Sequence, residues 1–185
     1  MWALDNVDKL PLKFWAQLER TLLSSIHAID IGWRFQTGPD LHLALHHVFG
    51  IQKVFLVDVF EPNLQTYAKH YRKECPWVEL ILADVRHIIK CPWQIGPAQL
   101  VIWQGGPEHL KKEEAGRVLG ELQNIWDAIL LEMPKGTYPQ GPLFGNPAEE
   151  HLSEWEPEEM EKAGWMTADH PTYPDQHFLS FWRRG

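Results

Sequence analysis

Residues 53–60 read Lys-Val-Phe-Leu-Val-Asp-Val-Phe, a near-continuous apolar run interrupted by one acid. A strand with one wet face alternates apolar and polar residues. A run that is apolar throughout marks a strand covered on both faces, and so a parallel sheet with helices on either side. The form recurs along the chain. Residues 27–31, 78–83, 99–103 and 128–133 are short and largely apolar. The later three run into Asp84, Gln104 and Pro134.

Helical patterns separate these runs. In residues 11–26, Trp15, Leu18, Leu22 and Ile26 recur at three- and four-residue steps behind Pro11. Residues 38–48 carry Leu41, Ala44, Leu45 and Val48, with Pro39 in the first turn. Glu61-Pro62 opens a helix whose inner face is Leu64, Tyr67, Ala68 and Tyr71. Ala115, Val118, Leu119, Leu122, Ile125 and Trp126 share one face of residues 111–125. Pro157 and Gly164 bracket a short helix after a long Pro/Gly-rich loop, and residues 165–168 and 177–182 are close enough to pair as a hairpin. The order is one helix, five β/α units and a two-strand ending. It predicts an α/β fold, an open, doubly wound, mostly parallel sheet with an antiparallel tail. One domain over 1–185 is expected: an N-terminal helix (1–26), ligand-binding β/α units (27–133), and a loop, short helix and terminal hairpin (134–185).

Composition narrows the partners. A formal net charge of −8 argues against a nucleic-acid or anionic-membrane surface. No apolar run approaches the ~18 residues that span a bilayer. Residues 1–5 lack the basic-then-apolar layout of a signal peptide. Cys75 and Cys91 each precede a Pro without metal-ligand spacing and read as reduced thiols. A soluble, cytoplasmic protein is expected, with Trp near the last strands suiting a homodimer. His42 and His46 share a helical face, but no third ligand is adjacent. They and His47 read as surface histidines, and no metal is expected. The acids Glu154, Glu156, Glu158, Glu159 and Glu161 read as a solvated face.

In open sheets of this kind ligands bind at the carboxyl ends of the strands. The first such end is Asp30-Ile31-Gly32, where Gly permits a sharp turn and close approach of backbone N–H groups. Asp58, at the next, is placed to accept from a ribose diol, or to cap the helix that follows. Asp84 could accept from an adenine amino group with Val85 packed on the ring, or could cap residues 85–89. His109, after Gly105-Gly106-Pro107-Glu108, is the leading candidate for a general base, followed by His151 and Glu108. A structural role anchoring the next helix or the long loop is open for each histidine.

Taken together, residues 28–168 resemble the class I S-adenosylmethionine (SAM)-dependent methyltransferases. Residues 102–110 (Ile-Trp-Gln-Gly-Gly-Pro-Glu-His-Leu) and Lys112-Glu113-Glu114-Ala115 look like a small bacterial and phage branch. So do Pro134-Lys135-Gly136, Gln140-Gly141, Gly145-Asn146-Pro147, Glu150-His151-Leu152-Ser153 and Trp155. The resemblance implies a seven-stranded sheet with an antiparallel last strand, and SAM as cofactor. It places Asp30 and Gly32 on the first cofactor motif, and Asp58 with Val59 on the ribose position. Asp84 with Val85 falls beside the adenine, and Gln104 at the end of the fourth strand. The family continues the first motif with further glycines, whereas Trp33, Arg34, Phe35 and Gln36 follow Gly32 here, bulky side chains expected to narrow the methionine end. The implied activity is methyl transfer to a small-molecule or sugar-type acceptor. A non-catalytic relative that binds a nucleoside or a partner protein is the alternative. A nicotinamide oxidoreductase is disfavoured by the missing pyrophosphate glycines.

Overall fold

The computed structural model describes residues 8–33, 38–92, 98–143 and 145–185. Its core is a seven-stranded sheet in the order β3-β2-β1-β4-β5-β7-β6. The strands are β1 (His27–Ile31), β2 (Lys53–Asp58), β3 (Val78–Leu82), β4 (Leu100–Gln104), β5 (Ala128–Pro134), β6 (Met166–Asp169) and β7 (His177–Arg183). The first five are parallel, and β7 lies antiparallel between β5 and β6. The predicted hairpin forms, but β7 also enters the main sheet beside β5 and buries a strand that sequence order alone leaves at the end. The strand order reverses between β1 and β4, and a crevice opens at that switch.

Side-chain alternation sends neighbouring strand residues to opposite faces, and among the described residues each face is covered by three helices. α1 (Leu12–Ser24), α2 (Asp40–His47) and α3 (Glu61–Tyr71) pack on one side with Ala28, Leu56, Ile102 and Leu130. α4 (Val85–Ile88), α5 (Lys112–Ile125) and α6 (Pro157–Lys162) pack on the other with Ile29, Val57, Val101 and Ile129. Burying a side chain such as Leu22 or Ile129, both 0% exposed, favours folding by about 1.5–3 kcal/mol.

Several expectations shift in detail. The buried face of α1 is Phe14, Leu18, Thr21 and Leu22, while Ile26 lies beyond the helix and is 48% exposed. The second strand does end at Asp58, as expected, and leaves Val59 exposed at the carboxyl edge. Gln104 is the last residue of β4 rather than the start of a loop. Trp165 is buried and Trp182 half-buried, with ring centres 6.5 Å apart. Both cysteines are free. Among the described residues, no helix is long and apolar enough to cross a membrane. The expectation on residues 1–5, and those on Arg34, Phe35 and Gln36, lie outside the described residues.

Candidate functional site

A cavity opens at the carboxyl edge of the sheet, over the ends of β1, β2 and β4. Its walls include Gly32, Asp58, Val59, Asp84, Val85 and His109, all named from sequence. Gly32 takes a positive φ of 79°, a conformation L side chains rarely adopt, and hydrogen-bonds from its N–H to the Val57 carbonyl. The chain is thereby turned sharply off β1 beside the cavity.

Asp58 is 4% exposed. Oδ1 accepts from the Phe60 N–H at 2.7 Å, and Oδ2 from Asn63 Nδ2 at 3.0 Å. Its pKa is pushed up to about 6, chiefly by burial and further by the Glu149 and Asp30 charges, against the lowering effect of those two hydrogen bonds. Each carboxylate oxygen retains acceptor capacity, so capping the turn into α3 and receiving a diol are compatible.

Asp84 caps α4 through the Arg86 N–H. It also takes Arg86 Nε on Oδ1 at 2.8 Å and Nη2 on Oδ2 at 2.5 Å. Burial pulls this carboxyl upward, but the bonds and charge of Arg86 prevail and its pKa is lowered. Asp84 therefore stands in the cavity wall as an ionised, Arg-braced group.

The cavity-lining carboxylates Asp58, Asp84, Glu114 and Glu149 face Arg86 and His109, a balance that suits a cationic ligand. Glu149 and Asn146 arrive on a turn at residues 145–149, where Asn146 Oδ1 accepts from the Ala148 N–H. Sequence reasoning missed Glu149 and Arg86. The Asp84-x-Arg86 spacing at a helix start was the available signal for the second.

Three expected residues cluster together, of which His109 lines the cavity. Glu108, His109 and His151 each offer one ligand atom, and these atoms lie within 4.8 Å of one another. The Glu108 carbonyl accepts the N–H groups of Leu152 and Ser153, which draws the long loop down and carries His151 to His109. His109 Nδ1 lies 3.2 Å from the Glu150 carbonyl, and His151 Nδ1 lies 2.7 Å from that of Tyr138. A carbonyl only accepts, so in each ring Nδ1 is a donor. The expected absence of a metal rested on the helix bearing His42, His46 and His47, and the donor set arises elsewhere.

Of those three histidines His47 is exposed, as expected, whereas His42 is buried and His46 half-buried. His42 is 0% exposed, bonded to Asp30 and Tyr67. His46 stacks on Trp77 at 3.7 Å and bonds the Ile51 carbonyl. A helix-face pattern gives no warning of partners supplied by β1 and α3.

Asp30 and Trp33 also differ from expectation. Asp30 is fully buried beneath the turn, bonded to His42 and Gln104. Trp33 is 2% exposed and turned away from the cavity into the core. Its ring meets Tyr67 at 5.0 Å, and its indole N–H donates to the Gly38 carbonyl. The expectation that Trp33 narrows the methionine end is therefore corrected: packing on α3 takes the indole out of that space.

No family model matches the sequence. No curated protein matches it either. Solved structures do. The methyltransferase domain of bacterial CtHen1 superimposes with a TM-score of 0.61 at 14% identity, covering 94% of this chain and 97% of that one. The N-terminal domain of EvdMO1, determined with S-adenosylhomocysteine (SAH) and D-fucose, gives 0.63 at 15% identity over 92% and 81%. An O-methyltransferase family protein from Burkholderia thailandensis gives 0.55 at 14% identity over 94% and 57%.

This chain has the class I methyltransferase fold.

The matches are methyltransferases of differing kinds, so the fold does not single out a branch. For a methyltransferase fold the local chemistry is coherent. SAM is a nucleoside with two cationic groups, a sulfonium and an ammonium, and the acidic walls and the buried Asp58 carboxyl fit such a molecule. Asp58 and Asp84 would hold its nucleoside end. The Glu108–His109–His151 cluster can accept a proton, or hold a divalent cation with two imidazoles and one carboxylate, a set common to several metals.

Proposed function

We propose that this protein is a SAM-dependent methyltransferase whose acceptor is a neutral small molecule or sugar-type compound. The observation that carries this reading is the juxtaposition of Asp58 with the His109 rim across one acidic cavity. When bound, the cofactor supplies an electrophilic methyl group on a sulfonium, so the protein has chiefly to align the acceptor and deal with its proton.

Asp58 binds the ribose hydroxyls, and Val59 and Val85 pack beside the base. Gly105 and Gly106 leave the far wall open; a Cβ on Gly106 would stand 2.0 Å from Trp103 Nε1. His109 receives the acceptor's proton at Nε2, with Glu108 and His151 supporting the imidazole. A divalent cation held by the same three groups would serve the same end by lowering the hydroxyl pKa. The acidic surroundings disfavour a polyanionic acceptor. A sugar-type acceptor is in keeping with the D-fucose present with EvdMO1.

Titration calorimetry with SAM and SAH on the wild type and on Asp58→Ala tests the reading. Micromolar binding, lost in the variant, supports it. Absence of binding to the wild type overturns it and leaves the non-catalytic alternative.

A further inference from the structure

Five rings make an unbroken succession of contacts at the carboxyl edge of the sheet, and the site described above uses the first two. His109 lines the cavity, and His151 meets it with ring centres 4.9 Å apart. Tyr138, on the long loop, follows at 5.9 Å and His177, at the start of β7, at 5.8 Å. Tyr173, on the turn between β6 and β7, ends the series 6.2 Å from His177. Its two tyrosines are its most open members, Tyr138 39% and Tyr173 49% exposed, and neither lines the cavity.

Both tyrosines are held. The Tyr138 carbonyl lies 2.7 Å from His151 Nδ1. Tyr173 is fixed by His170, which is 1% exposed. His170 Nδ1 accepts from the Thr172 and Tyr173 N–H groups at 3.2 and 3.1 Å, and its ring stacks on Tyr173 with planes 19° apart. A nitrogen that accepts carries no proton, so the ring proton is on Nε2, 3.6 Å from Glu132 Oε1. The same oxygen lies 3.3 Å from His177 Nδ1, and the Glu132 side chain is 19% exposed. A buried histidine thus commits both nitrogens and one ring face to fixing a tyrosine in water. An aromatic ring fixed before binding loses little conformational entropy when a ligand covers it.

Charge narrows what covers these rings. Glu132, Asp169 and Asp175 accompany them on β5, β6 and the turn. Lys135, the neighbouring cation, has its ammonium bonded to Asp169 Oδ1 at 2.6 Å and to the Pro174 carbonyl. Phosphate groups are poorly matched to such a surface. A carbohydrate matches it in two ways. One face of a sugar ring is a layer of C–H bonds that packs on an aromatic ring, and its hydroxyl groups donate to carboxylates and imidazoles.

Taking the protein as a SAM-dependent methyltransferase, we propose that Tyr138, His177 and Tyr173 form a shelf for the part of a neutral oligosaccharide acceptor that is not methylated. That part adjoins the unit presented to His109, and Glu132 accepts from its hydroxyl groups. The spacing of the three rings, 5.8 and 6.2 Å, gives room for more than the reacting unit.

Wild type, Tyr138→Ala, Tyr173→Ala and the double variant are applied to an array of neutral oligosaccharides. SAH binding is followed by calorimetry on the same preparations, and binding of labelled oligouridylate by fluorescence anisotropy. At least one neutral oligosaccharide should bind the wild type. Each single substitution should weaken it about tenfold, the value of one aromatic contact, with SAH affinity kept within twofold. A wild type that binds SAH but no neutral oligosaccharide overturns the shelf while the SAM reading stands. So does glycan binding indifferent to both tyrosines, or equal weakening of SAH. Binding of oligouridylate in place of glycans overturns it in favour of a nucleic acid. Glycan binding without SAH binding overturns the SAM reading and, with it, the acceptor role of the shelf. A wild type that binds neither overturns both.

Discussion

His109 and His151, from separate connections at the carboxyl edge of the sheet, meet with ring centres 4.9 Å apart, and each turns Nδ1 to a backbone carbonyl. One ring nitrogen of each and the Glu108 carboxylate lie within 4.8 Å of one another. Replacing either histidine by alanine should lower kcat by about 10²–10⁴ while SAH affinity stays within threefold. Single-turnover kinetics with calorimetry on the same preparations separates the two quantities.

The same convergence predicts divalent-ion binding. One Mn²⁺ per chain should bind to the wild type, followed by water-proton relaxation, and His151→Ala should weaken it at least tenfold. Even loss of an outer partner of a ligating imidazole costs about 10–100-fold, and this variant removes the imidazole itself. If the cluster works as a proton acceptor alone, chelator dialysis leaves turnover unchanged.

Asp58 links ligand binding to stability. Its folded pKa of about 6 exceeds the ordinary value, so the folded state holds this proton more tightly than the unfolded chain. The stabilisation is complete below about pH 4 and is lost as pH rises through about 6. Asp58→Asn should therefore raise the thermal midpoint at pH 7.5, by an effect on the order of 1–3 kcal/mol, and have little effect near pH 3.5. Cofactor affinity should show the opposite slope, rising through pH 6 as the carboxylate ionises to accept the diol, and the slope should vanish in the variant.

Gly106→Ala should be among the more damaging small substitutions. The added methyl would meet the Trp103 indole at 2.0–2.2 Å, and Trp103 is 5% exposed in the core. Displacing the ring should cost about 1–3 kcal/mol and alter the cavity wall. Thermal melts and Trp fluorescence report both. Gly116→Ala on α5, where a Cβ meets nothing within 4 Å, is the control, expected to be neutral or stabilising by up to about 1 kcal/mol.

One wall of the cavity was readable because it is local. Asp58, Val59, Asp84 and Val85 stand at strand ends, and a strand end facing a ligand is a property of a single β/α unit. The acid Asp30 was located as well, but its partners were not. His42, Tyr67 and Gln104 come from three other elements, and no pattern within α2 distinguishes a histidine aimed at a buried carboxylate from one in water. Trp33 went astray for a related reason. A bulky residue after a motif glycine can fill the ligand space or the core, and its packing on Tyr67 and Tyr71 decides for the core.

By itself the sequence determined the class of fold. Apolar runs of strand length separated by helical periods leave a helix-covered parallel sheet as the way to bury both faces, and they put the polar strand ends at one edge. The tertiary structure decided what those ends touch. The placement of β7 beside β5, the convergence of Glu108, His109 and His151, and the Tyr67–His42–Asp30–Gln104 chain all join residues distant in sequence. Such contacts depend on packing geometry, which local propensity does not encode.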